Sequence, residues 1–424
     1  MNSQVHLNPT RLSILSIPRS KYWVFLSPIL QMLHHEADQD AEEDSDSESE
    51  SESESDDDEE DQVESSKDDS IDEQPSPFPT QRRSSKDLLN HKAIDNSSKV
   101  TSEDSQSSPF SSPSTESDDS EIDDDNHFFH IGFTPIECTI ICSTCIMNEY
   151  FIDALKICQS LEYDDVKLIK ESFISLQIDS DGSFNHSLRI LELTRPLSEN
   201  NIPLFFISSH YCDIVLIPVN FKEKVIHILT QKNFEFSENS NSYISNIPDI
   251  NLTDQLVSPI NKDLESSIFK SFHDCHIKPV VNSKINLLLT GARTGESINT
   301  INKTIKILST NSIPDYFIVT RTSINKISLV LPKSKKTRKA LGFDSSNLIG
   351  STQDIIIPIS IDLAKLPLDS TGIVAGLASK IINNFPQDLQ FEMNYLSMAR
   401  SGILMIPKEN LSVIKRILND INYD

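Results

Sequence analysis

Residues 202–218 read IPLFFISSHYCDIVLIP, and residues 389–407 read LQFEMNYLSMARSGILMIP. Each is a pair of apolar runs around a short polar turn, the pattern of a β-hairpin set against a core. Phe206-Ile207-Ser208 falls on Tyr395-Leu396-Ser397, Ile217-Pro218 on Ile406-Pro407 and Ile228-Leu229 on Ile417-Leu418, all at an offset of 189. About ten like-for-like positions at one offset mark an internal duplication.

Two further hairpins carry the same signal, HFFHIGFTPIECTIICS (127–143) and DYFIVTRTSINKISLVLP (315–332). A strand and a helix precede each hairpin. RLSILSIP (11–18) leads to a short helix around Pro28–His34, with Ser27 as cap and Pro28 at the first helical position. ESFISLQI (171–178) leads to a helix within His186–Ser198, KINLLLTG (284–291) to ESINTINKTIKILS (296–309), and DIIIPISI (354–361) to TGIVAGLASKII (371–382). A second helix follows three hairpins; after the third stands only KSKKTRKALG. The unit is therefore β-α-β-β-α-β, an α+β ferredoxin-like pattern repeated four times. The expected boundaries are 1–35 plus 127–170 for a split first unit, 171–240 for the second, 241–282 for a linker, 283–345 for the third and 346–424 for the fourth.

Residues 36–126 interrupt the first unit. They hold 33 acidic and 6 basic residues, which is the whole net charge of −27, and only 12 apolar ones. Such a composition cannot bury enough apolar surface to offset chain entropy, so a disordered acidic insert is expected there, and its removal is expected to leave the body intact. Ser/Glu alternation, Arg82-Arg83-Ser84-Ser85 and Ser-Pro pairs at 76, 108 and 112 make the insert a phosphorylation candidate. The remaining 333 residues are neutral, which excludes a basic nucleic-acid binder. The best apolar stretch, Tyr22–Leu33, is too short for a bilayer and contains Pro28, so no membrane span is expected and the cytosol is the expected compartment.

Cys138 and Cys142 alternate along an apolar strand, and Cys142-Ser-Thr-Cys145 has no second pair, so core thiols are expected rather than a zinc site. There is no phosphate-binding Gly-rich loop, no Gly-x-Ser-x-Gly elbow and no His-Glu-x-x-His helix; neither catalysis nor a cofactor is expected. Leu368-Asp369-Ser370-Thr371-Gly372-Ile373-Val374-Ala375 is more informative. A strand end passing through glycine into an apolar helix leaves backbone N–H groups free for an anion such as an amino-acid carboxylate, or simply makes a capped turn.

Asp-x-x-Gly-Ile-Val-Ala opening the first helix of such a unit resembles the ACT domain, a regulatory amino-acid-binding module. Four tandem units resemble the CASTOR family, cytosolic arginine sensors upstream of the TOR kinase complex. Phe128-Phe129, Thr134-Pro135, Asp181-Gly182-Ser183-Phe184, Ser208-Ser209, Asp213, Ile327-Ser328-Leu329-Val330 and Gly372–Ala375 carry this resemblance in order, and the acidic insert lies outside it. It implies a ligand between the second and fourth units, lined by Pro203, Leu204, Pro367, Gly372, Ile373, Val374, Met398, Ala399, Arg400, Ser401 and Gly402. The acid that would meet a guanidinium falls on Gly402, and a second acid falls on Ser370. A smaller or neutral amino acid is therefore expected in place of arginine. By the same resemblance His210, Tyr211, Cys212 and Asp213 would contact a protein complex upstream of TOR. The expected function is a non-enzymatic amino-acid sensor, with homo-oligomerisation left open. The alternative is a ligand-free scaffold of the same fold that docks through its acidic insert.

Overall fold

The computed structural model describes residues 4–50, 128–179, 186–237, 262–310, 313–367, 370–386 and 392–419. The stretch 51–127 with its serine motifs, Asp181–Phe184, Leu368 and Asp369 lie outside the described residues. The first repeat contains β1 (Gln4–Pro18), α1 (Leu26–Glu50), β2 (Phe129–Phe133), β3 (Glu137–Ser143), α2 (Thr144–Ile146), α3 (Ile152–Ser160) and β4 (Lys167–Leu168). The second contains β5 (Phe173–Asp179), α4 (His186–Glu199), β6 (Phe205–Ser208), β7 (Cys212–Pro218), α5 (Lys222–Gln231) and β8 (Glu235–Phe236). After α6 (Lys262–Asp274) and β9 (Val280–Val281), the third contains β10 (Leu287–Ala292), α7 (Ser297–Leu308), β11 (Phe317–Ser323), β12 (Lys326–Pro332), α8 (Lys335–Ala340) and β13 (Leu348–Ile349). The fourth contains β14 (Ile356–Asp362), α9 (Ile373–Asn384), β15 (Asn394–Ser397), β16 (Ser401–Pro407) and α10 (Leu411–Asn419).

All the described strands join one hydrogen-bonded sheet, in the order β13-β10-β12-β11-β2-β3-β1-β5-β7-β6-β15-β16-β14-β9, with β4 and β8 also paired to β1. The repeats thus follow one another as third, first, second, fourth, and Leu287 of β10 opposite Ile356 of β14 closes the circuit. On one face, Leu176, Phe206, Val215, Tyr395 and Leu404 of the second and fourth repeats pack with residues of α4, α5, α6, α9 and α10. Leu15, Ile131, Ile140, Val319 and Leu329 of the other two repeats pack with α1 and α7. The opposite faces of all four meet in a third core containing Ile14, Ile141, Ile214, Ile318, Val330 and Ile403. Strands buried on both faces explain why the sequence shows near-continuous apolar runs.

Three sequence expectations need correction. β1 starts at Gln4, not near residue 11; its first half pairs with β5 and its second with β3, with a register slip between Asn8 and Leu12. Pro9, which has no N–H to donate, sits in that slip. Helix α1 runs on to Glu50, so the body does not end at residue 35. Glu36 is 1% exposed, and its Oε2 lies 2.8 Å from Nη1 of the fully buried Arg321. Finally, the linker 241–282 holds structure of its own. Ile268 and Phe272, one helical turn apart on α6, are buried in the helix-side core, and β9 extends the sheet alongside β14.

A cleft between the second and fourth repeats

The duplicated hairpins meet around Ile207 of β6 and Leu396 of β15, which lie opposite each other. Equivalent serines complete the seam. Phe206 N donates to Ser397 Oγ at 2.9 Å, and Tyr395 N donates to Ser208 Oγ at 3.1 Å. Because Phe206/Tyr395 and Ser208/Ser397 are pairs at the same offset, the duplication itself makes this local two-fold junction.

Beside the seam, helix α9 begins at Gly372, whose φ of 84° is the left-handed conformation that glycine adopts without a Cβ penalty. No side chain caps this end. Gly376 N is the first helical donor to reach an acceptor, Gly372 O at 2.7 Å, so the N–H groups of Ile373, Val374 and Ala375 have no intrahelical partner. This helix start borders a cavity of about 90 Å³ lined by α4 (Ser198), the entry to β6 (Pro203, Leu204, Phe205), the loop after β14 (Leu363, Leu366, Pro367), the helix turn (Ser370 to Val374) and β15 with its turn (Tyr395, Ser397, Met398, Ala399, Ser401).

Of the eleven residues expected at a ligand site, Pro203, Leu204, Pro367, Gly372, Ile373, Val374, Met398, Ala399 and Ser401 are brought together here. Arg400 and Gly402 do not line the cavity. Arg400 N donates to Glu137 at 3.0 Å, and its carbonyl accepts from Leu363 N at 2.8 Å, so its backbone builds the wall. Gly402 is absent from the lining, and a Cβ there would stand 1.9 Å from the Tyr395 hydroxyl. The space that a side chain at 402 needs is thus already filled by a phenol. No acidic side chain lines the cavity among the described residues.

Sequence reasoning missed two residues. Glu137, from the first repeat, is 1% exposed and accepts hydrogen bonds from Ser401 Oγ, Arg400 N and Thr139 Oγ1. Thr139 Oγ1 also accepts from Ala399 N at 3.1 Å. Burial pushes the Glu137 carboxyl above its ordinary range, against the opposing effect of these donors. Its signal was a lone acid in the apolar run IECTII. Tyr395 is 1% exposed, and burial raises its phenol; in the sequence it looked like one more core aromatic.

The turn 210–213 is corrected. Cys212 and Asp213 are buried, and Asp213 Oδ2 takes both Nε (3.0 Å) and Nη2 (2.7 Å) of buried Arg189. Half-buried Tyr211 donates to Ala292 O at 2.5 Å, and His210 N donates to Ser328 Oγ at 2.8 Å. The glycine at 291 leaves room for Tyr211 and His210. The turn docks on the third repeat, and Cys212 and Asp213 are buried within the chain rather than exposed. Cys138, Cys142 and Cys158 are core thiols, and Cys145 is exposed. A second hollow of about 420 Å³ lies among loops of the third repeat around Lys284, Asn286, Asp315 and Lys333, and none of the expected site residues lines it.

A family model for the ACT domain matches residues 168–231 and 351–420, the two repeats that form the cleft. The chain carries two ACT domains. None of the curated proteins matches the sequence significantly. Among solved structures, aspartate kinase from Synechocystis is similar at 10% identity over 70% of this chain and 49% of that one, with a TM-score of 0.25. This chain thus spans about half the length of that kinase. A protein from Agobacterium tumefaciens is similar at 17% identity over 26% of this chain and 85% of its own, with a TM-score of 0.19. The ACT assignment rests on the family match. Among the described residues, no helix is long and apolar enough to cross a membrane.

Proposed function

We propose that this protein is a non-enzymatic amino-acid sensor that holds a small neutral amino acid between its two ACT domains. ACT domains are regulatory modules that bind amino acids, and the first and third repeats are read as further ACT-like units. The resemblance to the CASTOR family extends the proposal to a cytosolic role upstream of a TOR-type kinase complex. One observation carries the reading: the junction of the two ACT domains is a cavity at an uncapped helix N-terminus. The free N–H groups and the helix dipole there stabilise a carboxylate by about 1 kcal/mol, more where water is excluded. No acidic side chain lines the cavity among the described residues, which favours a neutral side chain over a guanidinium.

The test is the thermal stability of the full chain in the presence of each proteinogenic amino acid. A cognate ligand at 100 times its Kd stabilises the folded state by about 2.7 kcal/mol. Gly372→Leu places a Cβ on a left-handed residue at the mouth of the site, costs roughly 1–2 kcal/mol by itself, and is expected to abolish the ligand shift. An amino acid that stabilises both proteins equally puts the site elsewhere. Arginine as the tightest ligand overturns the neutral-ligand assignment.

A further inference from the structure

The tyrosine at 395 has a feature the fold does not call for. Its equivalent in the second repeat is Phe206, fully buried in the same core and hydrogen-bonded through its backbone in the same way. The junction therefore needs an aromatic ring at this position, not a phenol. Tyr395 is 1% exposed and lines the cleft, and its hydroxyl makes no hydrogen bond among the described residues. The other buried hydroxyls of the lining are engaged: Ser198 Oγ donates to Thr194 O, Ser397 Oγ accepts from Phe206 N, and Ser401 Oγ donates to Glu137. A hydroxyl with no protein partner at the edge of a cavity is met by water or by a polar group of whatever binds there. The glycine at 402 is what admits it, since any Cβ there would collide with the phenol oxygen.

We propose that the Tyr395 hydroxyl reads the side chain of the ligand, and that the cleft takes a small amino acid with a neutral hydrogen-bonding side chain, a hydroxyl or carboxamide, in preference to an aliphatic one. This rests on the cleft between the ACT domains being the amino-acid site. The helix N-terminus holds the carboxylate of every amino acid alike and selects none of them. Discrimination between isosteres comes from the phenol, because a ligand lacking the polar group leaves a buried hydroxyl unpaired.

The experiment compares isosteric pairs, L-threonine with L-valine and L-asparagine with L-leucine, by calorimetry on the full chain and on Tyr395→Phe. Phenylalanine fills the same position in the second repeat, so this variant folds. In the native protein, threonine or asparagine is expected to bind at least roughly tenfold more tightly than its isostere, and in Tyr395→Phe the ratio is expected to fall to about one. Valine or leucine binding the native protein as well as its partner overturns the inference and leaves the sensor reading standing. A preference that survives in Tyr395→Phe does the same. Absence of binding by any amino acid to the native protein overturns both.

Discussion

At the scale of single residues, the cleft is set by a pair that only space connects. Gly402 and Tyr395 lie on neighbouring strands, and the phenol oxygen occupies the volume in which a side chain at 402 would begin. Gly402→Ala would put its Cβ 1.9 Å from that oxygen and 2.8 Å from Cζ, so the ring must move within a packed core. Overpacking of this kind costs about 1–3 kcal/mol. Because the oxygen makes the worse contact, most of the cost is expected to vanish when Gly402→Ala is made in Tyr395→Phe. Chemical denaturation of the two single variants and the double variant measures this as a coupling energy. Additive costs would mean that the phenol does not lie over Gly402.

At the scale of elements, alternation and the 189-residue offset disclosed the hairpins and the helices between them, because period and repetition are local properties of the chain. Helix α6 stood in the sequence with its apolar pair Ile268 and Phe272, yet nothing local showed that α9 would receive it. Ile268 packs 3.3 Å from where a Cβ on Gly376 would stand. Glu137 and Arg321 were illegible for the same reason: their partners lie 264 and 285 residues away. The seam between β2 and β11 shows what such burial does. His130, opposite Thr320, is fully buried with Nδ1 2.9 Å from the threonine hydroxyl, and its Nε2 has no partner among the described residues. Desolvation lowers its pKa to about 3 from an ordinary 6.5. The folded state keeps the ring neutral while the unfolded chain takes up a proton below about 6.5. This contribution to stability is complete above pH 6.5 and is lost as pH falls toward 3, at up to about 1.4 kcal/mol per pH unit. Glu137, raised by burial, acts in the opposite sense, since its protonation favours the fold. Urea unfolding of the native protein and His130→Gln between pH 7 and 4 isolates the histidine, and the variant is expected to show the shallower loss. Parallel pH profiles would exclude a buried neutral histidine.

At the scale of the whole molecule, the circuit of four repeats needs α1 to cover the first and third, and α1 leads directly into the acidic stretch. Glu36 and Ala37 lie on its buried side, and Glu36 is an ionic partner of the fully buried Arg321 near the end of β11. Replacing residues 51–121 with a ten-residue Gly/Ser linker keeps both. From Glu36 to Glu50 the helix carries the chain about 21 Å. Such a linker together with residues 122–127 spans that return at no more than roughly 3.5 Å per residue. This protein is expected to melt within a few degrees of the native chain, because closure entropy changes by only about 0.6 kcal/mol per halving of loop length. Replacing residues 36–126 with the same linker has a different outcome. It deletes Glu36, leaves the Arg321 guanidinium buried without this carboxylate, and is expected to cost roughly 3–5 kcal/mol. For a body of this size that is a fall of roughly 10 °C or more in melting temperature. Arg321→Met in the shorter chain is expected to recover much of the loss, since it removes the stranded charge and retains the volume. Equal melting of the two truncated chains would show that the ion pair does not anchor α1, and that the body ends at residue 35 as the charge pattern alone indicates.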